Sequence, residues 1–397
     1  MTKEQRFFIH MLSDHLNGRK TAAPEGLDWN QIADYAAKHE VSGLVYHQCR
    51  DLLPEPLEAL LSQKNAAEVY FYINRRALLK QIFQSFSEAK IPFFTVKGLD
   101  VARFYPVPAL RTMGDSDIVI RSDDKELAHS IMTTSLGFHN TRKDNIEWIY
   151  TKNGLVFELH DHLLYDLPFN SKAGLERADE AWAHARPTGE GSQYALDWSF
   201  HFLFLLLHVR KHLVDAGVGF RHFLDLAVTV RRCELDWNWL QKTLEELGMT
   251  KFVQICSALL DRWFGISLQV PPLALDDASL DALTETVFNN GVFGMSDERN
   301  KDHSEVNAIA LRSGPRWLIR LRNLSRSVFP PYRDMRYVKS YAFLDGRPWL
   351  LPAAWIYRFY RSIRYRLGPK GRNLVSNAFI PDKKLDARLD ELKKWGL

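Results

Sequence analysis

The sequence predicts an α+β protein in which a small mixed sheet, with its own helices, sits between N-terminal and C-terminal helical regions. Three observations carry this. Apolar residues recur at helical spacing before residue 91 and again after residue 171, whereas short β-rich runs cluster between 91 and 166. Within that middle stretch, Asn153-Gly154 separates two strand-like runs, the strongest short hairpin signal.

Taken in order, Asp28 is a good N-cap for a helix opening at Trp29, and a long helix follows Pro56, with Leu57, Leu60, Leu61, Ala67 and Val69 in phase. Ile91–Val96 is a short apolar strand ending at Lys97-Gly98, and Leu99–Tyr105 is a brief helix closed by Pro106 and Pro108. Asp117–Ile120 is a second strand, and Ala128–Leu136 is a helix stopped by Gly137. Ile146–Thr151 and Leu155–His160 form the hairpin. Helices resume at 171, the clearest being Asp197–Val214 and Phe220–Arg232, and Asp236 repeats the Leu-Asp-Trp-Asn opening seen at Asp28. Phe288–Ser304 reads as a loop or linker, and Asp382–Lys394 as a charged helix. The expected organisation is therefore 1–90 helical, 91–166 α/β, 167–290 helical, and 291–397 a linker and basic aromatic tail.

At 397 residues, with 46% apolar and 25% charged residues, the chain has ample material for a core, which excludes disorder and collagen-like repeats. Three scattered cysteines fit neither a disulfide framework nor a zinc-finger pattern and point to a reducing compartment. The first residues lack the apolar core of a signal peptide, and the apolar run Trp198–Val209 is too short to span a bilayer, so the expected location is cytoplasmic. Net charge is +4, yet the stretch from Arg312 to Arg372 holds fifteen Lys/Arg against two acids. A basic tail on an acidic body suggests an anionic partner for the tail alone.

The residues with chemistry begin at Arg111-Thr-Met-Gly-Asp115-Ser-Asp117. On extended chain, residues two apart face one side, so Asp115 and Asp117 point together, and carboxylates that close repel unless a cation neutralises them. A hard divalent ion such as Mg²⁺ (or Mn²⁺) takes oxygen ligands and leaves positions for water and phosphate. In the hairpin, Leu155, Phe157 and Leu159 share the core face, which leaves Glu158 and His160 on the polar one. If that strand lies beside the Asp strand, three carboxylates converge. The competing reading is that Asp-Ser-Asp caps a turn and Lys97 is a solvated strand end.

These pieces, in order, resemble the uncharacterised nucleotidyltransferase family of the polymerase-beta superfamily: Lys97-Gly98, Tyr105, Arg111, Asp115-Ser116-Asp117, Gly137-Phe138 and Glu158-Leu159-His160. His208 through His212 and Phe220 through Leu226 resemble its helical part, so the likeness spans roughly 20–330. Two departures stand out. The superfamily usually has Gly-Ser before the Asp pair, where this chain has Lys97-Gly98-Leu99, and Ser116 replaces an apolar residue. The resemblance implies two-metal transfer of a nucleoside monophosphate from an NTP such as ATP to a hydroxyl of a small molecule, sugar or protein. It implies Asp115, Asp117 and Glu158 as catalytic metal ligands, with Glu158 helping to deprotonate the hydroxyl. Lys97, Gly98 and Arg111 would bind phosphates, although Arg111 reads equally well as a salt-bridge partner of the Asp pair. A non-catalytic nucleotide-binding or scaffold protein is the alternative.

His208 and His212 share a helix face at the spacing of helical zinc sites, but no Glu follows His208, which disfavours a metalloprotease. His201, His208 and His212 on this Leu/Phe-rich helix serve either as core residues or, with Lys211 and His212 facing the cleft, as nucleotide contacts oriented by Asp225. In the tail, Trp349–Leu367 is expected to form an amphipathic helix with Trp355, Ile356, Phe359, Tyr360, Ile363 and Leu367 on one arc and arginines opposite. Packing of that arc on the body, with Trp355 and Phe359 buried, is preferred over peripheral membrane contact, and no nucleic-acid motif accompanies the charge.

Overall fold

In a computed structural model, residues 1–143, 148–164, 172–215, 217–292, 315–335, 339–344, 346–366 and 382–397 are described. The fold is α+β, as its sequence patterns dictate. Asp28 caps α2 (Trp29–Lys38) by accepting from the Asn30 and Gln31 amides, and Asp236 caps α10 (Trp237–Glu246) through the Trp239 amide. The long helix after Pro56 is α4 (Glu55–Glu88), with proline in its first turn where no amide bond is lost.

The sheet has the order β1-β2-β5-β4-β3, formed by Phe93–Thr95, Asp117–Ile120, His139–Lys143 (β3), Trp148–Lys152 (β4) and Leu155–His160 (β5). β1 and β2 are antiparallel, β2 and β5 parallel, and the β4–β5 hairpin turns through Asn153 and Gly154, both at positive φ (53° and 75°). Alternation along β5 buries Leu155, Phe157 and Leu159 and leaves Val156, Glu158 and His160 half-buried. One sheet face packs on α4 through Leu78, Leu79, Ile82 and Phe86. A second core joins α1 (Lys3–Leu16), α8 (Trp198–Asp215), α9 (Phe220–Arg232) and α11 (Thr250–Phe264) to Phe94 and Val119. The sheet is thus clasped between helical layers.

Several expectations change. β3 and the hairpin Ala185–Pro187/Tyr194–Leu196 carry no alternating apolar pattern and were not anticipated, because their pairing is supplied by neighbours and not by their own burial. The helix expected over Ala128–Leu136 starts earlier, at Lys125, and loosens into a π turn over Ile131–Ser135 before Gly137. Phe288 belongs to α12 (Asp277–Asn290), and the remainder of the expected linker, 293–304, lies outside the described residues.

The tail helix forms over Leu351–Arg366, but its packing differs from expectation. Ala354 is fully buried against Met335, Tyr341 and Leu344, and Trp355 is half-buried, donating its indole N–H to the Pro330 carbonyl at 2.8 Å. Phe359, expected to be buried, is 43% exposed, and Ile356 and Tyr360 are exposed beside it. The apolar arc is wider than one contact face, and the small Ala354 permits the closest approach, which rotates Phe359 outward.

Candidate active site

Pairing of β2 with β5 builds the site. Their parallel register sets Asp117 opposite Glu158, and the Glu158 amide donates to the Ser116 carbonyl at 2.9 Å. Both side chains therefore emerge from one face, and His160, two residues on, joins them. Its Nε2 lies 3.2 Å from Asp117 Oδ1 and 3.3 Å from Glu158 Oε2. One donor atom from each of the three falls within 4.8 Å of the others, close enough to share an ion. Asp115 is half-buried on the loop before β2 rather than on the strand. Burial, then the charge of Asp117, pushes its carboxyl above the ordinary range.

Lys97 supplies the countercharge. It ends β1 at a turn into α5 (Gly98–Val101) with φ of 58°, a conformation costly for a residue with a Cβ. Two contacts hold it there: its amide donates to His201 Nε2 at 3.0 Å, and its ammonium donates to Asp117 Oδ1 at 2.7 Å. Burial disfavours charge on both partners, but the attraction wins. Lys97 is raised by Asp117 and Asp115, and Asp117 is held well below the usual carboxylate range by Lys97 and His160. His160 is buried too, yet hydrogen bonds to Asp117 and Glu158 carry it up to about 9, so it is a cation at neutral pH. The three acids thus sit among cations that stand where metal charge would otherwise be needed.

Gly98 is fixed by packing. A Cβ there would collide with the Arg111 guanidinium and Met113. Arg111 itself is committed to Asp225 of α9, with Nε to Oδ1 at 3.1 Å and Nη2 to Oδ2 at 2.5 Å. Its Nη1 donates to the Thr112 carbonyl at 2.8 Å, and Tyr105 donates its hydroxyl to Asp225 Oδ1 at 2.7 Å. Asp225 therefore orients Arg111 and Tyr105, not Lys211 or His212, and the salt bridge expected of Arg111 is made with Asp225 and not with the Asp pair. His208 and His212 on α8 lie near enough to Lys97 for its charge to help keep them neutral.

Arg75 is a neighbour of the site that the sequence reading does not single out, and His201, one of the histidines it does, takes a place there that its own helix could not show. Arg75 on α4 reaches under the acid loop, donating to Ser116 Oγ at 2.5 Å, Met113 O at 2.8 Å and Val156 O at 3.2 Å. Its signal was present: it falls in phase with the buried Leu78, Leu79, Ile82 and Phe86, an arginine within an apolar stripe. His201, stacked on Trp198 and lowered by burial to about 4, is a neutral acceptor whose partner could not be read from its own helix.

A family model described as an uncharacterised nucleotidyltransferase matches residues 25–265, which takes in every residue of this site. The chain belongs to that family. No curated protein matches it by sequence. Among solved structures, the antibiotic-resistance factor ANT(2'')-Ia, whose solution structure is described as showing substrate-regulated conformation dynamics, is similar over 48% of this chain and 97% of its own, with a TM-score of 0.31 and 11% identity. That likeness is too distant to carry over any residue. The candidate site meets solvent at Glu158, which keeps 14% of its side chain exposed, while Asp117 beside it keeps 4%. A separate cleft of about 840 Å³ between α4 and α5 touches the back of the acid loop at Arg75 and Met113, and none of the site carboxylates lines it. No helix among the described residues is long and apolar enough to cross a membrane.

Proposed function

We propose that this nucleotidyltransferase moves a nucleoside monophosphate from an NTP to a hydroxyl of a small molecule, sugar or protein. The observation that carries the reading is the register of β2 on β5, which sets Asp117 opposite Glu158 with the Lys97 ammonium bonded to Asp117. The donor set fits a hard divalent cation: Asp117 and Glu158 bring carboxylate oxygens within 4.8 Å of each other, and the Asp115 carboxyl, on the loop beside them, is pushed up by burial and then by their charge. Mg²⁺ or Mn²⁺ held by these three would neutralise phosphate charge and favour the attacking alkoxide.

The chain's own residues do the rest. Lys97, whose ammonium donates to Asp117 and whose amide is tied to His201, is placed to meet phosphate oxygens as a point charge. Glu158, the more exposed carboxylate, takes the proton of the acceptor hydroxyl. His160, protonated at neutral pH, fixes the spacing of Asp117 and Glu158 and is not the base. Arg111 acts from behind, as a positioning residue tied to Asp225. Lys211 and His212, on the α8 wall, are the remaining candidates for triphosphate contact.

The test is release of pyrophosphate from each NTP, with Mg²⁺ and a fractionated metabolite extract as acceptor source, comparing the natural chain with Asp117→Asn. Metal-dependent NTP binding by calorimetry, lost in Asp117→Asn, is the expected companion. A well-folded natural chain that binds no NTP in the presence of Mg²⁺ or Mn²⁺ would overturn the assignment and favour a scaffold.

A further inference from the structure

Away from the carboxylates, three histidines converge. His208 and His212 lie one turn apart on α8, and His222 faces them from α9. Their ring centroids are separated by 4.4 Å (208–212), 4.7 Å (212–222) and 5.8 Å (208–222), and one nitrogen from each falls within 4.8 Å of the other two. Burial, aided by neighbouring cations, drives all three well below the ordinary imidazole range, so each ring is neutral and keeps a lone pair. Among the described residues, the hydrogen bond made by these rings is a single long one, Gly219 N–H to His222 Nδ1 at 3.3 Å. Two of the rings are half-buried and His222 is buried, and three neutral imidazoles that bring one nitrogen each to a common point, with a single hydrogen bond among them, are arranged as ligands to an ion are.

We propose that His208, His212 and His222 form a second metal site, for a divalent cation of the zinc class. Three neutral imidazoles suit such an ion, while a site without oxygen donors suits Mg²⁺ poorly, so the two clusters would select different metals. Three protein ligands leave a fourth position open. A tetrahedral site with bonds of about 2.1 Å brings its nitrogens to about 3.4 Å, so the rings need to close by on the order of an ångström, within reach of side-chain rotation. The long Gly219 contact is all that ligation through His222 Nδ1 would displace. The cations facing the cluster are Lys97, Lys211, Arg111 and Arg221. Three of them are compensated by Asp117, Asp225 and Glu40, respectively for Lys97, Arg111 and Arg221. The ion would pin α8 to α9 beside the Lys97 turn.

Co²⁺ is the probe. The full chain carrying Asp117→Asn, stripped with a chelator, should bind one equivalent with the intense visible bands of a four-coordinate ion, displaced by Zn²⁺ and not by Mg²⁺. The near-ultraviolet bands of cobalt thiolates should be absent, which separates this site from the three cysteines. Adding His212→Gln or His222→Gln should weaken binding by more than the 10- to 100-fold or so that loss of a mere outer partner costs. The unsubstituted chain, its carboxylate site filled with excess Mg²⁺, should melt at a higher temperature with Zn²⁺ added, a reading that needs no variant to fold. No Co²⁺ or Zn²⁺ uptake in either format, or uptake undiminished by both histidine substitutions, would overturn the proposal.

Discussion

Replacing Asp225 with alanine isolates the buried pair that anchors the acid loop to the helical layer. Side-chain exposure is 8% for Arg111 and 5% for Asp225, so the Arg111 charge left behind in the variant is not recovered by water. Removing one partner of such a pair costs about 3–5 kcal/mol, and the Tyr105 hydroxyl, buried and donating to the same carboxylate, loses its acceptor for about 1–3 kcal/mol more. The two losses overlap, so a total of about 4 kcal/mol or somewhat more is expected. Equilibrium urea unfolding should show the midpoint falling with the slope unchanged. The double variant Arg111→Met/Asp225→Ala should recover much of this, since no uncompensated charge remains, giving a coupling of about 2 kcal/mol in the cycle with Arg111→Met. A cost below about 1 kcal/mol for Asp225→Ala, or additivity within about 0.5 kcal/mol in the cycle, would refute the reasoning.

Other outcomes follow from the same site. Asp115→Asn should stabilise the metal-free chain at neutral pH, since a carboxyl whose folded pKa is raised penalises folding once ionised, while abolishing Mg²⁺-dependent NTP binding; unchanged affinity in a folded variant would remove Asp115 from the site. His160 has its folded pKa raised from 6.5 to about 9, so its contribution, on the order of 3 kcal/mol, is full below pH 6.5 and is lost as pH rises to 9; a metal-free stability profile flat across that window, or retained in His160→Gln, would contradict it. Arg75→Ala should loosen the loop from Met113 to Ser116, costing about 3 kcal/mol or more and weakening metal–NTP affinity, whereas Arg75→Lys should restore part of the stability but not the fan of hydrogen bonds; thermal melting and calorimetry read both. Gly98→Ala should destabilise by about 1–3 kcal/mol through collision with Arg111 and Met113, and a neutral result would mean that the guanidinium can move aside.

Much of this chain was legible one-dimensionally because its signals are periodic or local. Strand β5 could be read from Leu155, Phe157 and Leu159 alternating with Glu158 and His160, the hairpin from Asn153-Gly154, and two helix starts from Asp28 and Asp236, since each depends on neighbours a few residues away. The ordered motifs from Lys97 to His160 also sufficed for the family resemblance that the match over 25–265 supports. What the sequence could not decide was pairing across distance. Arg111 had several plausible acidic partners, and only the docking of α9 gives it Asp225, 114 positions away. Arg75 looked like an ordinary helical arginine until α4 was laid beneath the acid loop, and the Lys97 turn needed His201, 104 positions on, to hold its amide. The tail shows the same limit from the other side: its apolar arc was readable, but which part of that arc is covered depends on the close approach allowed by Ala354. Local sequence sets which conformations a segment favours and which face is greasy. The partner of a buried charge is chosen by the whole fold, because desolvation makes any arrangement without one too costly to persist.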